Sequence, residues 1–185
     1  MTPHNDIIFF GIQGSGKGTQ AKLLAEKWGL RIFETGAELR AIMKEDSELG
    51  RTVSEIISRG DLVPNDIVMD IIAHFLDAIS ADDRVLFDGI PRSMPQKETF
   101  DALLKKKGRS AIGVFLDVPT EVVVERMKSR GRDDDTDEVI ARRIKNYEQE
   151  TLPVIEAYES EGKLLRVNGN QSIEEVHNEI LSRLS

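Results

Sequence analysis

The sequence predicts an α/β fold: a doubly wound, parallel, five-stranded sheet with helices on both faces. Short, nearly continuous apolar runs alternate along the chain with longer segments whose apolar residues recur at helical spacing. The runs lack the in-out alternation of a half-exposed sheet, as expected when helices cover both faces. The length of 185 residues with 39% hydrophobic and 31% charged residues suits a single domain, and a domain of this size buries roughly 70% of its unfolded surface.

Each element has its own signal. Ile7-Ile8-Phe9-Phe10 is the first strand. After a glycine-rich turn, Ala21, Leu24, Ala25 and Trp28 mark a helix that Gly29 is placed to stop. Arg31 to Glu34 forms a short second strand. Thr35 and Glu38 then have the spacing of a capping box opening a helix through Leu39, Ile42 and Met43. Leu49, Val53, Ile56 and Ile57 define another helix, ended by Gly60. Pro64 suits the first turn of a helix with a buried stripe of Ile67, Ile71, Ile72, Phe75 and Ile79. Arg84 to Asp88 and Ala111 to Val118 are strands, with a helix from Met94 to Lys107 between them. Pro119 opens a helix reaching Arg130. A polar stretch from Gly131 to Asp137 leads into a long helical segment, Glu138 to Glu161, which Pro153 should bend. Leu164 to Val167 is the fifth strand, Asn168-Gly169-Asn170 a turn, and Ile173 to Leu184 a closing helix.

Composition removes several function classes. The charge balance of 25 basic against 33 acidic residues, net −8, argues against general nucleic-acid binding, which needs a basic surface. Any phosphate must therefore be held by local devices. With no cysteine there are no disulfides, thiolate zinc sites or cysteine nucleophiles. No apolar run approaches the ~20 residues of a membrane span. Met1 to Asp6 lack a basic stretch followed by an apolar one, so the cytoplasm is the expected compartment.

The chemistry begins at Gly11-Ile12-Gln13-Gly14-Ser15-Gly16-Lys17-Gly18-Thr19, which satisfies G-x-x-x-x-G-K. Its glycines let the backbone curl so that successive amides point at phosphate oxygens. The following helix adds its positive end, and Lys17 can reach the outer phosphates. A glycine-rich turn with an incidental lysine is the alternative. The position directly after a buried strand and directly before an amphipathic helix favours the phosphate-binding loop. The hydroxyl residue is displaced by one position, since Gly18 precedes Thr19.

That run resembles the nucleoside monophosphate kinases, adenylate kinases in particular, and the likeness continues in the same order over nearly the whole chain. It is carried by Thr35-Gly36-Ala37-Glu38-Leu39-Arg40, Gly60-Asp61-Leu62-Val63-Pro64, Asp88-Gly89-Ile90-Pro91-Arg92 with Gln96, Arg126, Arg130, Arg132-Asp133-Asp134 and Arg143. The resemblance implies a fold like that of P-loop nucleoside triphosphate hydrolases, with residues 35–64 as a helical monophosphate-binding insertion and 130–138 as a very short lid loop. It implies reversible, Mg²⁺-dependent phosphoryl transfer from ATP to AMP, giving two ADP.

Such a reaction needs no general base, because the attacking oxygen is already anionic; alignment and charge neutralisation are the enzyme's task. His4, His74 and His177 accordingly receive no role. By the resemblance, Gly14, Ser15, Gly16, Lys17, Gly18, Thr19, Arg126, Arg130 and Gln171 bind ATP. Thr35, Gly36, Arg40, Asp61, Leu62, Val63, Gly89, Arg92, Gln96, Arg132 and Arg143 bind AMP. Lys17, Arg92, Arg132 and Arg143 act on the migrating group, and Asp88 holds Mg²⁺ through water. Asp88 ends a buried strand at the carboxyl edge of the sheet, where ligands bind in such folds; a helix-capping aspartate is the alternative. Planar guanidinium groups suit bidentate phosphate binding. Asp133 and Asp134 are expected to order the lid loop by ion pairs with these arginines. The resemblance also implies an adenine-selective acceptor pocket at Thr35 and Gln96, where pyrimidine-selective relatives tend to have a small residue and asparagine; a glutamine amide is long enough to pair with a purine edge.

The chain also departs from the family pattern. Gln13 stands in place of the usual loop proline and Ala37 in place of a common aspartate. A zinc-holding lid is excluded by length and by the absence of cysteine. The seven residues from Gly131 to Asp137 carry no apolar side chain and a net negative charge. Phosphoryl transfer must exclude water, so either the arginine-bearing helices close further or a neighbouring subunit of a homo-oligomer supplies cover; the second is the expectation. UMP/CMP kinase and a non-catalytic nucleotide-sensing protein are the competing readings. No nucleic acid or membrane partner is expected.

Overall fold

The computed structural model describes residues 6–130 and 136–184, the side chain of Arg130 excepted. Five parallel strands, β1 (Asp6–Phe10), β2 (Arg31–Glu34), β3 (Val85–Asp88), β4 (Ala111–Asp117) and β5 (Leu164–Asn168), form one sheet in the order β2-β3-β1-β4-β5. The order reverses direction after β1, so the loops leaving β1 and β4 diverge and open a crevice at the carboxyl edge. The helices are α1 (Lys17–Trp28), α2 (Thr35–Ile42), α3 (Glu48–Ser58), α4 (Asn65–Ala78), α5 (Met94–Lys106), α6 (Thr120–Arg130), α7 (Asp137–Asn146), α8 (Leu152–Ser160) and α9 (Ile173–Leu184).

The continuous apolar runs are explained by two cores. Side chains alternate across a strand, so Ile8 and Phe10 enter one core with Phe33, Phe87 and Phe115, under helices α2 to α5 and α8. Ile7 and Phe9 enter the other with Leu86, Val114 and Leu116, under α1 and α9. Phe87 is fully buried with edge-on contact to Phe100, and truncating such a side chain to alanine costs about 3–5 kcal/mol. At the amino edge of the sheet, buried Asp6 accepts the Val85 N–H at 2.8 Å and two donors of Arg109 at 2.7 Å. That end is closed by an ion pair, which leaves the carboxyl edge for ligands.

Several expectations are corrected by tertiary context. Thr35 is the first residue of α2, not its cap: Glu34 occupies the cap position with no capping side-chain bond, because β2 runs straight into the helix. The buried line of α4 is Val68, Ile72 and Leu76. Ile67, Ile71, Phe75 and Ile79 flank it, partly buried against the same core. Strand β3 starts at Val85 rather than Arg84, and β4 ends at Asp117. Ser47 caps α3 by accepting the Gly50 N–H at 2.9 Å. Ser172 and Glu175 form a reciprocal cap on α9.

The long segment after Asp137 is interrupted by a π turn, Tyr147–Thr151, in which the Leu152 N–H bonds to the Tyr147 carbonyl. Pro153 has no N–H for the Gln149 carbonyl and its ring crowds that carbonyl, so the helix widens just before it. Buried Lys97 pairs within α5 with Asp101 at 2.8 Å and reaches Glu161, the cap of α8, at 2.6 Å, over the Tyr158 ring.

Candidate active site

The carboxyl edge of the sheet forms one wall of a cleft of about 980 Å³. Apart from Arg130 and Arg132, every predicted site residue lines it: Gly14 to Thr19, Thr35, Gly36, Arg40, Asp61, Leu62, Val63, Asp88, Gly89, Arg92, Gln96, Arg126, Arg143 and Gln171. Arg132, Asp133 and Asp134, with most of the 130–138 segment and the side chain of Arg130, lie outside the described residues, as does His4. The protein is acidic overall, but the cleft gathers Lys17, Lys22, Arg40, Arg92, Arg126 and Arg143 against Glu34, Asp61 and Asp88. Positive charge is therefore gathered locally on this surface.

The phosphate loop leaves β1 with Gly11, Gly14 and Gly16 at positive φ, conformations that a Cβ disfavours. At Gly14 a Cβ would also lie 2.9 Å from the Val123 carbonyl, so α6 fits against a bare backbone. Lys17 curls over the loop, its Nζ donating to the carbonyls of Gly11 at 2.7 Å and Ile12 at 3.1 Å, with Asp88 Oδ1 at 4.0 Å. The Ser15 hydroxyl is buried without a hydrogen-bond partner. Such a group costs about 1–3 kcal/mol, and one inside an anion-binding loop is suited to donate to an incoming oxygen. Arg126 Nη1 reaches the Gly14 carbonyl at 3.5 Å.

Asp88, at the end of β3, is buried. Burial pushes its carboxyl above the ordinary range, outweighing the lowering effect of Lys17 and Arg92, while Glu34 adds to the rise. A buried carboxylate that burial penalises, open to a cleft beside a phosphate loop, fits a divalent cation. No cluster of three metal-ligating side chains occurs among the described residues. Mg²⁺ is usually held by one or two carboxylates together with substrate phosphates and water, and Asp88 is a carboxylate of that kind at the cleft.

Arg92 is fixed at three atoms. Its N–H donates to Gln96 Oε1 at 2.8 Å, its Nε to the Gly89 carbonyl at 2.8 Å, and its own carbonyl accepts from the Thr151 hydroxyl at 2.9 Å. Burial depresses its guanidinium, Asp88 opposes that, and Arg143 and Arg40 add to the depression. Arg92, Arg40 and Arg143 therefore share one like-charged region, which an anion would relieve. Of the arginines on this side that are described, Arg126 stands beside the loop and Arg143 beside Arg92. Arg40 pairs with Glu34 at 2.9 Å and lies against Gly36, where a Cβ would stand 3.0 Å from its guanidinium.

Around them, the Thr35 hydroxyl is buried and unpartnered. The Gly60–Val63 segment is held to α7 by Asn146, which donates to the Gly60 carbonyl at 3.0 Å, and by Arg142 to Asp61 at 3.0 Å. Gln171 donates to the Asn168 carbonyl at 2.9 Å and Glu179 at 3.0 Å. Its side chain thus shapes the β5–α9 turn. Glu34, Asn146, Tyr147, Thr151 and Ile173 line the cleft without having been singled out in the sequence; only Pro153, which disturbs the helix near Thr151, left a readable trace. His74 bonds its own helix and His177 faces Gln20, neither lining the cleft.

A family model described as adenylate kinase matches residues 9–163. Adenylate kinase 1 of Nostoc sp. is 42% identical over 179 residues, covering 96% of this chain and 97% of its own. The adenylate kinase of Thermus thermophilus is 40% identical over 183 residues, 96% of each chain, and that of Bacteroides fragilis 38% over 180 residues, 95% of each. Matched to this extent, and by relatives that share one description along their whole length, the chain belongs to the adenylate kinase family.

Proposed function

We propose a division of labour within this cleft for the reaction of the family, the reversible transfer of a phosphoryl group from ATP to AMP that gives two ADP. The observation that carries it is the gathering of a phosphate loop, a buried carboxylate and two separate arginine positions along one cleft in an acidic protein. ATP lies with its phosphates on the amides of Gly14, Ser15, Gly16, Gly18 and Thr19, and Ser15 gains the partner its hydroxyl lacks. Lys17 leaves the loop carbonyls for the outer phosphates, exchanging neutral acceptors for charged ones. Arg126, Arg130 and the Gln171 turn receive the donor base and phosphates. Asp88 would hold Mg²⁺, which would supply neutralisation of charge on the transferring oxygens.

AMP occupies the side formed by residues 35–64 and the β3–α5 loop. Its phosphate meets Arg40 and Arg92, and the transferring group meets Arg92, Arg132 and Arg143. Gly36, Asp61, Leu62, Val63 and Gly89 line its path. Gln96 reads the base. Because its Oε1 already accepts from the Arg92 N–H, we assign the Nε2 end to the ligand, and Nε2 can only donate. A donor suits the N1 acceptor of adenine and opposes the N1–H of guanine. Thr35 supplies a second, unpartnered hydroxyl beside it.

The chain works on nucleotides of the cytoplasm, and we place the site's cover in a homo-oligomer, the partner shielding phosphates that residues 130–138 are too short and polar to enclose. Product analysis tests the assignment. With Mg²⁺, ATP and AMP together, two ADP form per AMP consumed, and omission of any one stops the reaction. Lys17→Met should lower turnover by about 10²–10³ while leaving the melting temperature nearly unchanged. ATP binding without ADP formation would support the nucleotide-sensing alternative.

A further inference from the structure

We propose that Thr151, presented by the π turn, is a positioning residue for the acceptor phosphate, joining Arg143 and Arg92 into one clamp. The inference rests on the reading of Arg92 as a phosphate-binding residue. Thr151 is buried although Glu148, Gln149 and Glu150 before it are exposed. Its hydroxyl donates to the Arg92 carbonyl at 2.9 Å, a contact 59 residues apart in the chain.

The helix geometry explains how it gets there. Arg143, Tyr147 and Thr151 follow one another at intervals of four and all line the cleft. In a regular α-helix each such step drifts by roughly 40°, so two steps would carry Thr151 about 80° off the line of Arg143. The π turn spans the second step and advances less per residue, taking that drift back. Pro153 enforces the wider turn. Arg92 is then held through its N–H by Gln96, through its carbonyl by Thr151 and through Nε by Gly89, which leaves the Nη groups to meet a ligand. Without the hydroxyl the Arg92 carbonyl loses a partner, and the loop loses its tie to the helix that carries Arg143.

The test compares Thr151→Val, Thr151→Ala and Thr151→Ser by steady-state kinetics and by ATP binding. Both variants lacking the hydroxyl should lower kcat/KM for AMP by about 5–30-fold, with ATP affinity within twofold of the parent, and Thr151→Ser should recover most of the loss. A purely structural role would instead lower the melting temperature without separating AMP from ATP. The proposal is overturned if AMP and ATP are affected alike, if kcat/KM is unchanged, or if Ser fails as badly as Ala. Should Val fail to fold, the Ala and Ser pair decides alone. Arg92→Met in the same assay isolates the premise. If it leaves AMP use intact, the reading of Arg92 and the proposal both fall. If it impairs AMP use while the Thr151 variants do not, only the proposal falls.

Discussion

Replacing Gln96 with glutamate alters one atom at the point where we read the acceptor base. The side chain is buried at 5% exposure, and its Oε1 accepts from the Arg92 N–H at 2.8 Å. Gln96→Glu keeps that bond, so the backbone of Arg92 is undisturbed. The Nε2 donor becomes an oxygen, and a hydrogen bond to adenine N1 becomes two acceptors facing each other. The lost bond and the unpaired buried acceptor together are worth about 2 kcal/mol, roughly 30-fold in kcat/KM at about 1.4 kcal/mol per decade. Initial rates over a range of AMP at saturating ATP measure it, with ATP affinity as the internal control. Because guanine offers N1–H there, GMP should lose less than AMP or gain. An AMP rate within threefold of the parent, or an equal loss of ATP affinity, would show that Gln96 does not read the acceptor base.

Other perturbations bear on other parts of the site. Burial raises the Asp88 carboxyl above its value in an unfolded chain. Between those two values the folded state holds more protons, so stability falls as pH rises through that window. Asp88→Asn should therefore melt a few degrees higher than the parent at neutral pH, at ~2–4 °C per kcal/mol for a domain of this size, while Mg²⁺-dependent turnover collapses; a lower melting temperature would refute the burial argument. Gly14→Ala combines a φ of +89° with a Cβ 2.9 Å from the Val123 carbonyl, and should cost about 2–4 kcal/mol in denaturant titrations together with weaker ATP binding. Subunit cover predicts an oligomer in sedimentation at micromolar concentration and low ATP hydrolysis without AMP. A monomer with equally low hydrolysis would leave closure of the arginine-bearing helices as the explanation.

What could be read in the sequence divides along a physical line. The strands and the phosphate loop were legible because local rules decide them. A buried parallel strand is a continuous apolar run, and a loop that curls round phosphate needs glycines at fixed places. That Asp88 lines the cleft was legible from the end of a strand, and that Arg92 does so from the resemblance. Features set by distant partners were not. Thr35 has the spacing of a cap, yet β2 leads straight into α2 and leaves its hydroxyl buried without a partner. The buried line of α4 falls on Val68, Ile72 and Leu76 because the core it meets decides between neighbouring apolar stripes of similar strength. Pro153 announced a disturbance in the long helix, but a bend and a π turn look alike in sequence. The contact from Thr151 to Arg92, and with it the link between the two arginines, depends on which occurs.

On this reading one cleft takes ATP on the phosphate loop and AMP, by its base, on the Thr35–Gln96 side. A panel of AMP, GMP, CMP and UMP, each with Mg·ATP and scored as kcat/KM, tests it most directly. AMP should be preferred by at least about fivefold, since a buried polar group left unpaired costs at least about 1 kcal/mol, and Thr35→Ala with Gln96→Asn should move that preference toward CMP or UMP. A parent enzyme that prefers a pyrimidine, or a double variant with an unchanged profile, would contradict it.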